Sequence, residues 1–398
     1  MVTPSIDLAS GTVFKDQGKL SFDYLPEKMP HREKQMQRLF QLFRPLLEAN
    51  VPSNAFLHGS VGTGKTHLSR LFSKELIKRA QEVNRAMDHV LVNCRQRIGE
   101  DAVLLAILKS YDSRFPDRGF SISEKLNVLR NWLEKRGSNL LVILDEVDAL
   151  LKKSGSNLIY TFSRFGEEHV GKGHISMILI SQKTDALEHL DSAALSTFRR
   201  TNTIEFEKYK GDELRDIIQI RADLALHPRC VGHDVLDLIS DIASEFGDAR
   251  YAIEILWNAG LLADEENAEE IAAEHVRGAK AAVHPTGIEE RLRSLDRSKA
   301  LVLLAVARKI KRKAYLSTGE AEKAYALICE EYKEKKRGHT QFWKYLKDLD
   351  ALGLIDAKIS GEGVVGKTTL ISLPEIPAKT LTDMLQNVIG KGDTRRSN

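Results

Sequence analysis

The chain has 398 residues, 42% of them hydrophobic and 29% charged, which fits an ordinary soluble globular protein with length for two or three domains. Net charge is only +3, from 59 basic and 56 acidic residues, so the average does not announce a nucleic-acid binder and the distribution along the chain decides. Three scattered cysteines without a CxxC pair, no HExxH, no apolar run of membrane-spanning length and no signal-peptide pattern exclude a disulfide framework, a zinc site and a membrane protein, so a cytoplasmic location is expected.

The first twenty residues show no firm periodicity and are expected to form a loose arm. The segment Leu25-Pro26-Glu27-Lys28-Met29-Pro30 is punctuated by proline, and His31-Arg32-Glu33 then enters a helix with Met36, Leu39, Phe40 and Phe43 on one face. Next comes an apolar run, Ala55-Phe56-Leu57, that stops at Gly59-Ser60-Val61-Gly62-Thr63-Gly64-Lys65-Thr66 and turns helical at Leu68, Leu71, Phe72 and Leu76. Strand, glycine loop and helix in this order meet the phosphate-loop pattern in its required context. Triphosphate oxygens need converging backbone N–H donors at the positive end of a helix, and glycine lets the chain curl tightly enough to supply them. Val61, Gly62, Thr63, Gly64, Lys65 and Thr66 are therefore the candidate ATP/ADP-binding residues, with Lys65 reaching the β- and γ-phosphates and the Thr66 hydroxyl available to Mg²⁺.

His89 to Cys94 reads as a second strand, followed by helices around Val103 to Leu108 and from about Ile122 to Lys135. This alternation predicts an α/β fold with a parallel sheet. Leu140-Leu141-Val142-Ile143-Leu144 is a strand buried on both faces, and Asp145 and Glu146 follow where it ends, the edge at which parallel sheets bind ligands. Asp145 suits the Mg²⁺ shell and Glu146 a general base acting on the attacking water. Ile175 to Ser181 is a further buried strand ending at Gln182, whose amide either contacts the γ-phosphate and the water or is simply a turn residue.

After Phe206 the sheet pattern stops, and Asp212 to Ala282 reads as helices that fit a small lid, closed by a polar joint at His284-Pro285-Thr286-Gly287. Beyond the joint, helices near Leu301, Ala321 and Thr340 precede two strands around a glycine-rich loop, the order of a winged helix-turn-helix. In the third helix Phe342, Leu346, Leu349 and Leu352 fall on one side and Arg337, Thr340, Lys344 and Lys347 on the other, a basic stripe suited to DNA and equally to a solvated face. Lys333, Lys335 and Lys336 before the helix, and Lys358 and Lys367 at the wing, favour DNA. Gly361 to Thr368 repeats the phosphate-loop pattern, but a strand follows it instead of a helix, so we read it as a wing tip with Lys367 a candidate DNA contact.

With these motifs in place the chain resembles the archaeal AAA+ replication initiators of the origin-recognition-complex and cell-division-control type. The resemblance rests on Pro30-His31-Arg32-Glu33, Val92-Asn93-Cys94-Arg95, Leu144-Asp145-Glu146-Val147-Asp148, Tyr209, Arg221 and Gly247-Asp248-Ala249-Arg250, and covers nearly the whole chain. It implies that Tyr209, Arg221 and Arg250 contact the nucleotide, that a helical insertion after Arg95 touches DNA, and that the partners are double-stranded origin DNA, the replicative helicase and other initiator copies. The implied division is an arm (1–20), an AAA+ base (21–206), a lid (207–284), a winged helix (285–375) and a tail (376–398). Gln182 stands where such initiators usually carry asparagine, and Ala193 where they carry the arginine of an LDPRV run, with Arg199 and Arg200 nearby. ATP binding with weak hydrolysis is the expectation. The other reading is a regulatory AAA+ switch whose winged helix meets protein or controls transcription.

Overall fold

A computed structural model describes residues 13–166, 173–190, 198, 200–283, 291–292, 295–311, 313–359, 369–373 and 376–394. They fall into two compact units, one of residues 25–213 with 246–248, the other of the remaining segments. No described helix is long and apolar enough to cross a membrane.

The first unit holds α1 (Glu33–Ala49), β1 (Asn54–His58), α2 (Lys65–Glu82), β2 (Met87–Asn93), α3 (Glu100–Tyr111), α4 (Ile122–Arg136), β3 (Asn139–Asp145), α5 (Val147–Ser154), α6 (Asn157–Ser163), β4 (Ile175–Ser181), β5 (Thr203–Glu205) and the start of α7 (Gly211–Ala225). The strands form a sheet in the order β2-β3-β4-β1-β5, with every pairing parallel. Every residue of the central β3 and β4 is buried, because helices cover both sheet faces. The two-residue strand period sorts their side chains. Leu140, Val142 and Leu144 join a core with Val103, Ile107 and Leu129, while Leu141 and Ile143 join one with Leu39, Phe43, Leu68 and Phe72. Apolar burial on this scale is the main force fixing the register. Ser121 and Glu124 close a capping box at α4, and Gly137 ends that helix in the left-handed region, so its limits match the expected ones to within a residue. Short helices α5 and α6 were not anticipated, since runs of 8 and 7 residues carry too few turns to display a period.

The second unit continues α7 and adds α8 (His233–Ser244), α9 (Ala249–Glu265), α10 (Ala273–Val283), α11 (Arg297–Ile310), β6 (Leu316–Ser317), α12 (Thr318–Glu331), α13 (His339–Ala351), β7 (Asp356–Ile359), β8 (Thr369–Ser372) and α14 (Ala378–Thr394). Strands β6, β8 and β7 pair antiparallel beside α11 to α13, giving the winged helix with one more strand than the sequence reading anticipates. Lid and winged-helix elements are held together here. Arg277, fully buried on α10, donates to the carbonyls of Lys313 and Ala314, and Tyr315 donates a 2.7 Å bond to Asp241 of α8.

Both chain ends depart from expectation. Residues 13–20 do not hang loose: Val13 and Leu20 are fully buried, Phe14 bridges to Leu226, and the Phe14 ring packs over Gly260. The expected tail is helical from 378, and Ala378, Leu381, Leu385 and Ile389 enter the winged-helix core at helical spacing.

Candidate nucleotide site and nucleic-acid surface

The phosphate loop leaves β1 at Gly59 and opens α2 at Lys65, as the loop–helix frame requires. Gly62 (φ 72°) and Gly64 (φ 92°) occupy the left-handed region, and both are approached closely. A Cβ on Gly62 would lie 1.6 Å from the Asp248 carboxylate, and one on Gly64 would lie 2.7 Å from Met29 Cε and 3.0 Å from the Tyr209 hydroxyl. Thr63 is buried and its hydroxyl donates to the Ser60 carbonyl, while Val61 is 43% exposed. Lys65 is buried in the loop, with Nζ donating at 2.6 Å to the carbonyls of Gly59 and of Ser60.

β3 delivers the acids to the same edge. The Thr66 hydroxyl donates a 2.8 Å bond to Asp145 Oδ2, and the Glu146 N–H donates to Asp145 Oδ1 at 3.0 Å. Burial pushes the Asp145 carboxyl above the usual range, opposed by the Thr66 and Glu146 bonds. The same burial, with the neighbouring carboxylates, raises the Cys94 thiol to about 12, so that cysteine is inert. Glu146 has φ 52°, an unusual conformation for a residue with a side chain, and caps α5. Its Oε1 lies 3.5 Å from Arg95 Nη1. Gln182 is exposed at the end of β4, and the pairing of His58 with Ser181 sets it level with Gly59 at the start of the loop. The sheet therefore gathers the loop, Asp145, Glu146, Gln182 and Tyr209 within one unit. Burial raises the Tyr209 phenol to about 12.

Arg221 and Arg250 belong to the other unit. Arg221 is buried in α7, donates to the carbonyls of Lys19 and Tyr24 and lies over the Tyr24 ring. Arg250 is exposed on the first turn of α9, with its guanidinium 5.6 Å from the centre of the Phe22 ring.

In the winged helix, α13 buries Phe342, Leu346 and Leu349 and exposes Thr340, Lys344 and Lys347, with Lys347 Nζ 5.8 Å from the Trp343 ring. Two members of the expected pattern fall off the helix. Arg337 precedes the N-cap Gly338 and so is not part of the stripe, and Leu352 follows the last helical residue and is 36% exposed. Lys336 pairs with Glu322 at 3.3 Å, and Lys358 pairs with Asp241 at 3.1 Å and Asp356 at 3.3 Å. Lys367, the wing-tip pattern Gly361 to Thr368, Ala193 and Arg199 lie outside the described residues, as does the side chain of Arg200.

Family models agree with this layout: an AAA domain matches residues 50–190, a Cdc6 AAA+ ATPase-type lid domain 215–281 and a CDC6 C-terminal winged-helix domain 290–382. The ORC1-type DNA replication protein 1 of Sulfurisphaera tokodaii is 31% identical over 368 residues, 92% of this chain and 91% of that one. The chain belongs to the archaeal Orc1/Cdc6 initiator family. Among solved structures of this family, Cdc6p from Pyrobaculum aerophilum has a TM-score of 0.82 and 29% identity, covering 96% of this chain and 99% of its own. The Aeropyrum pernix ORC1 protein, solved in complex with DNA, has a TM-score of 0.63 and 29% identity, covering 94% and 97%. As a member of an AAA+ family with this loop, the chain is a nucleotide binder.

Two residues of this family member's site escaped the sequence reading. Arg32 is 3% exposed and donates to the carbonyl of Thr63 in the loop, and Asp248 is packed against Gly62. Both sit inside motif strings that carried the resemblance, Pro30 to Glu33 and Gly247 to Arg250. The signal was present without its meaning, because neither has a partner nearby in sequence.

Proposed function

We propose that the chain is an initiator of DNA replication that binds double-stranded origin DNA through its winged helix, with ATP or ADP in the phosphate-loop site setting the bound state. The observation that carries this reading is similarity to replication initiators along nearly the whole length, through base, lid and winged helix alike. Thr340, Lys344 and Lys347 on the exposed face of α13 are the proposed DNA contacts, joined by Arg337 just before the helix and Lys367 at the wing. Thr63, Gly64, Lys65 and Thr66 bind the phosphates, with Val61 and Gly62 shaping the loop and Tyr209, Arg221 and Arg250 as further nucleotide contacts.

The hydroxyl of Thr66 and the carboxylate of Asp145, 2.8 Å apart, form a hard oxygen pair that fits Mg²⁺. When bound, that ion supplies positive charge to the β- and γ-phosphates. Glu146 accepts the proton of the attacking water, and Gln182 orients it. Turnover is weak in this reading, because Glu146 is engaged by Arg95 and the longer Gln182 stands where the family usually has asparagine. Other copies of the initiator and the replicative helicase are the proposed protein partners, in a cytoplasmic, nucleoid-associated setting.

The test is footprinting on chromosomal origin fragments with ATP, with ADP and with the Lys347→Glu variant. A protected origin segment that changes with nucleotide and is lost in the variant is expected. No specific protection under any condition sinks the reading.

A further inference from the structure

Arg32 is a charged side chain placed where charge is costly. At 3% exposure its guanidinium is held by backbone carbonyls: Nε donates to Thr63 at 3.0 Å, Nη1 to His31 at 2.9 Å and Nη2 to Glu207 at 2.8 Å. Its Cζ stands 3.7 Å from the centre of the Tyr209 ring and 5.7 Å from that of Phe206. Burying a guanidinium among neutral dipoles does little for stability compared with an apolar side chain of the same size, so its retention calls for another reason.

The reason lies in what its fork joins. Thr63 is in the phosphate loop. Glu207 is in the segment that leaves β5, where Phe206 N–H donates to the His58 carbonyl at 2.8 Å and Tyr209 N–H to the Gly247 carbonyl at 3.2 Å. Tyr209, stacked on Arg32, places its hydroxyl against Gly64 of the loop. The planar guanidinium thus spans the loop and the Phe206–Tyr209 segment with donors in fixed directions, which an ammonium group cannot reproduce.

We propose that Arg32 is a positioning residue of the nucleotide site, setting the spacing between Thr63 and Tyr209 without touching the nucleotide. The proposal rests on the reading of Gly59 to Thr66 as a nucleotide-binding loop. Loss of the guanidinium loosens both walls of the site together, so affinity falls although every proposed nucleotide contact is still present.

The experiment measures ADP affinity and thermal melting for the full chain as wild type, Arg32→Ala, Arg32→Lys and Lys65→Ala. Arg32→Ala is expected to weaken ADP about tenfold or more, within the usual range of coupling between sites. Millimolar guanidinium, far below denaturing concentration, is expected to restore part of that loss and to leave wild type and Lys65→Ala unchanged. Arg32→Lys keeps the charge, lacks the fork and is expected to stay several-fold weak, which carries the test should Arg32→Ala not fold. Wild-type affinity in either variant overturns the proposal, as does a loss in Arg32→Ala that guanidinium does not relieve and that follows the fall in melting temperature. Failure of the wild type itself to bind ADP overturns the nucleotide reading instead.

Discussion

Thr66 Oγ1 donates a 2.8 Å hydrogen bond to Asp145 Oδ2 across 79 positions of sequence, joining the last residue of the phosphate loop to the last residue of β3. The pair places one hydroxyl and one carboxylate oxygen at the carboxyl edge of two strands that are not neighbours in the sheet. If it forms the Mg²⁺ site, Asp145→Asn should lower nucleotide affinity in Mg²⁺ by about tenfold or more, and chelation with EDTA should weaken the wild type but barely affect the variant. Titration with a fluorescent ADP with and without EDTA checks both statements.

The Arg95–Glu146 contact, 3.5 Å long with Arg95 76% exposed, holds the proposed general base by a weak, solvent-screened pair. Such pairs are worth at most about 1 kcal/mol, so Arg95→Ala should raise single-turnover ATP hydrolysis by no more than about fivefold. Glu146→Gln should abolish turnover and keep ATP binding. A fall in turnover on removing Arg95 would show that Arg95 assists the reaction and does not restrain it.

Gly62 tolerates no side chain, for two separable reasons. Its φ of 72° costs a residue with a Cβ about 1–2 kcal/mol, and that Cβ would meet the Asp248 carboxylate at 1.6 Å. Gly62→Ala should therefore weaken nucleotide binding sharply. Adding Asp248→Ala should recover only the part due to the collision, so the two changes should couple by more than about 0.5 kcal/mol in a double-mutant cycle. Strict additivity in measured ADP affinities would contradict this account.

The two faces of α13 should answer to different assays. Lys347→Glu should leave the melting temperature unchanged, weaken DNA about tenfold and reduce the slope of log affinity against log salt by about 1 or more. Leu346→Ala, at a 1% exposed position, should cost about 2–5 kcal/mol of stability through the cavity it leaves. Loss of stability in the lysine variant would mark that face as structural.

Glu320 offers a pH test within the winged helix. Its hydrogen bond from Lys313, and then those from the Ser317 backbone and hydroxyl, hold its carboxyl down at about 2 against an ordinary 4.5. A carboxylate with a lowered folded value stabilises fully above the unfolded value of about 4.5 and loses that contribution as pH falls toward about 2. The difference in urea midpoint between wild type and Glu320→Gln should be constant from neutral pH to about 4.5 and shrink below it. Since the side chain is 36% exposed, a small difference is expected.

The sequence by itself determined the elements whose information is local. β1, the loop and α2 were legible because an apolar run, three glycines and a helical period adjoin one another, and β3 because five apolar residues end in two acids. The apolar face of α13 was legible for the same reason, as three buried positions recur at helical spacing. Where local signals were weak they misled: the arm has no period, yet Val13 and Leu20 are fully buried, and Arg337 shares the spacing of a stripe from which the helix start excludes it. Tertiary structure alone decided the site's inner contacts. Arg32 with Thr63 and Glu207, Asp248 with Gly62 and Arg95 with Glu146 are contacts in which nothing about either residue names the other. Hydrogen bonds and close packing act over a few ångströms of space. Only once parallel pairing sets β1, β4 and β3 side by side do residues scattered from 32 to 248 come within that range.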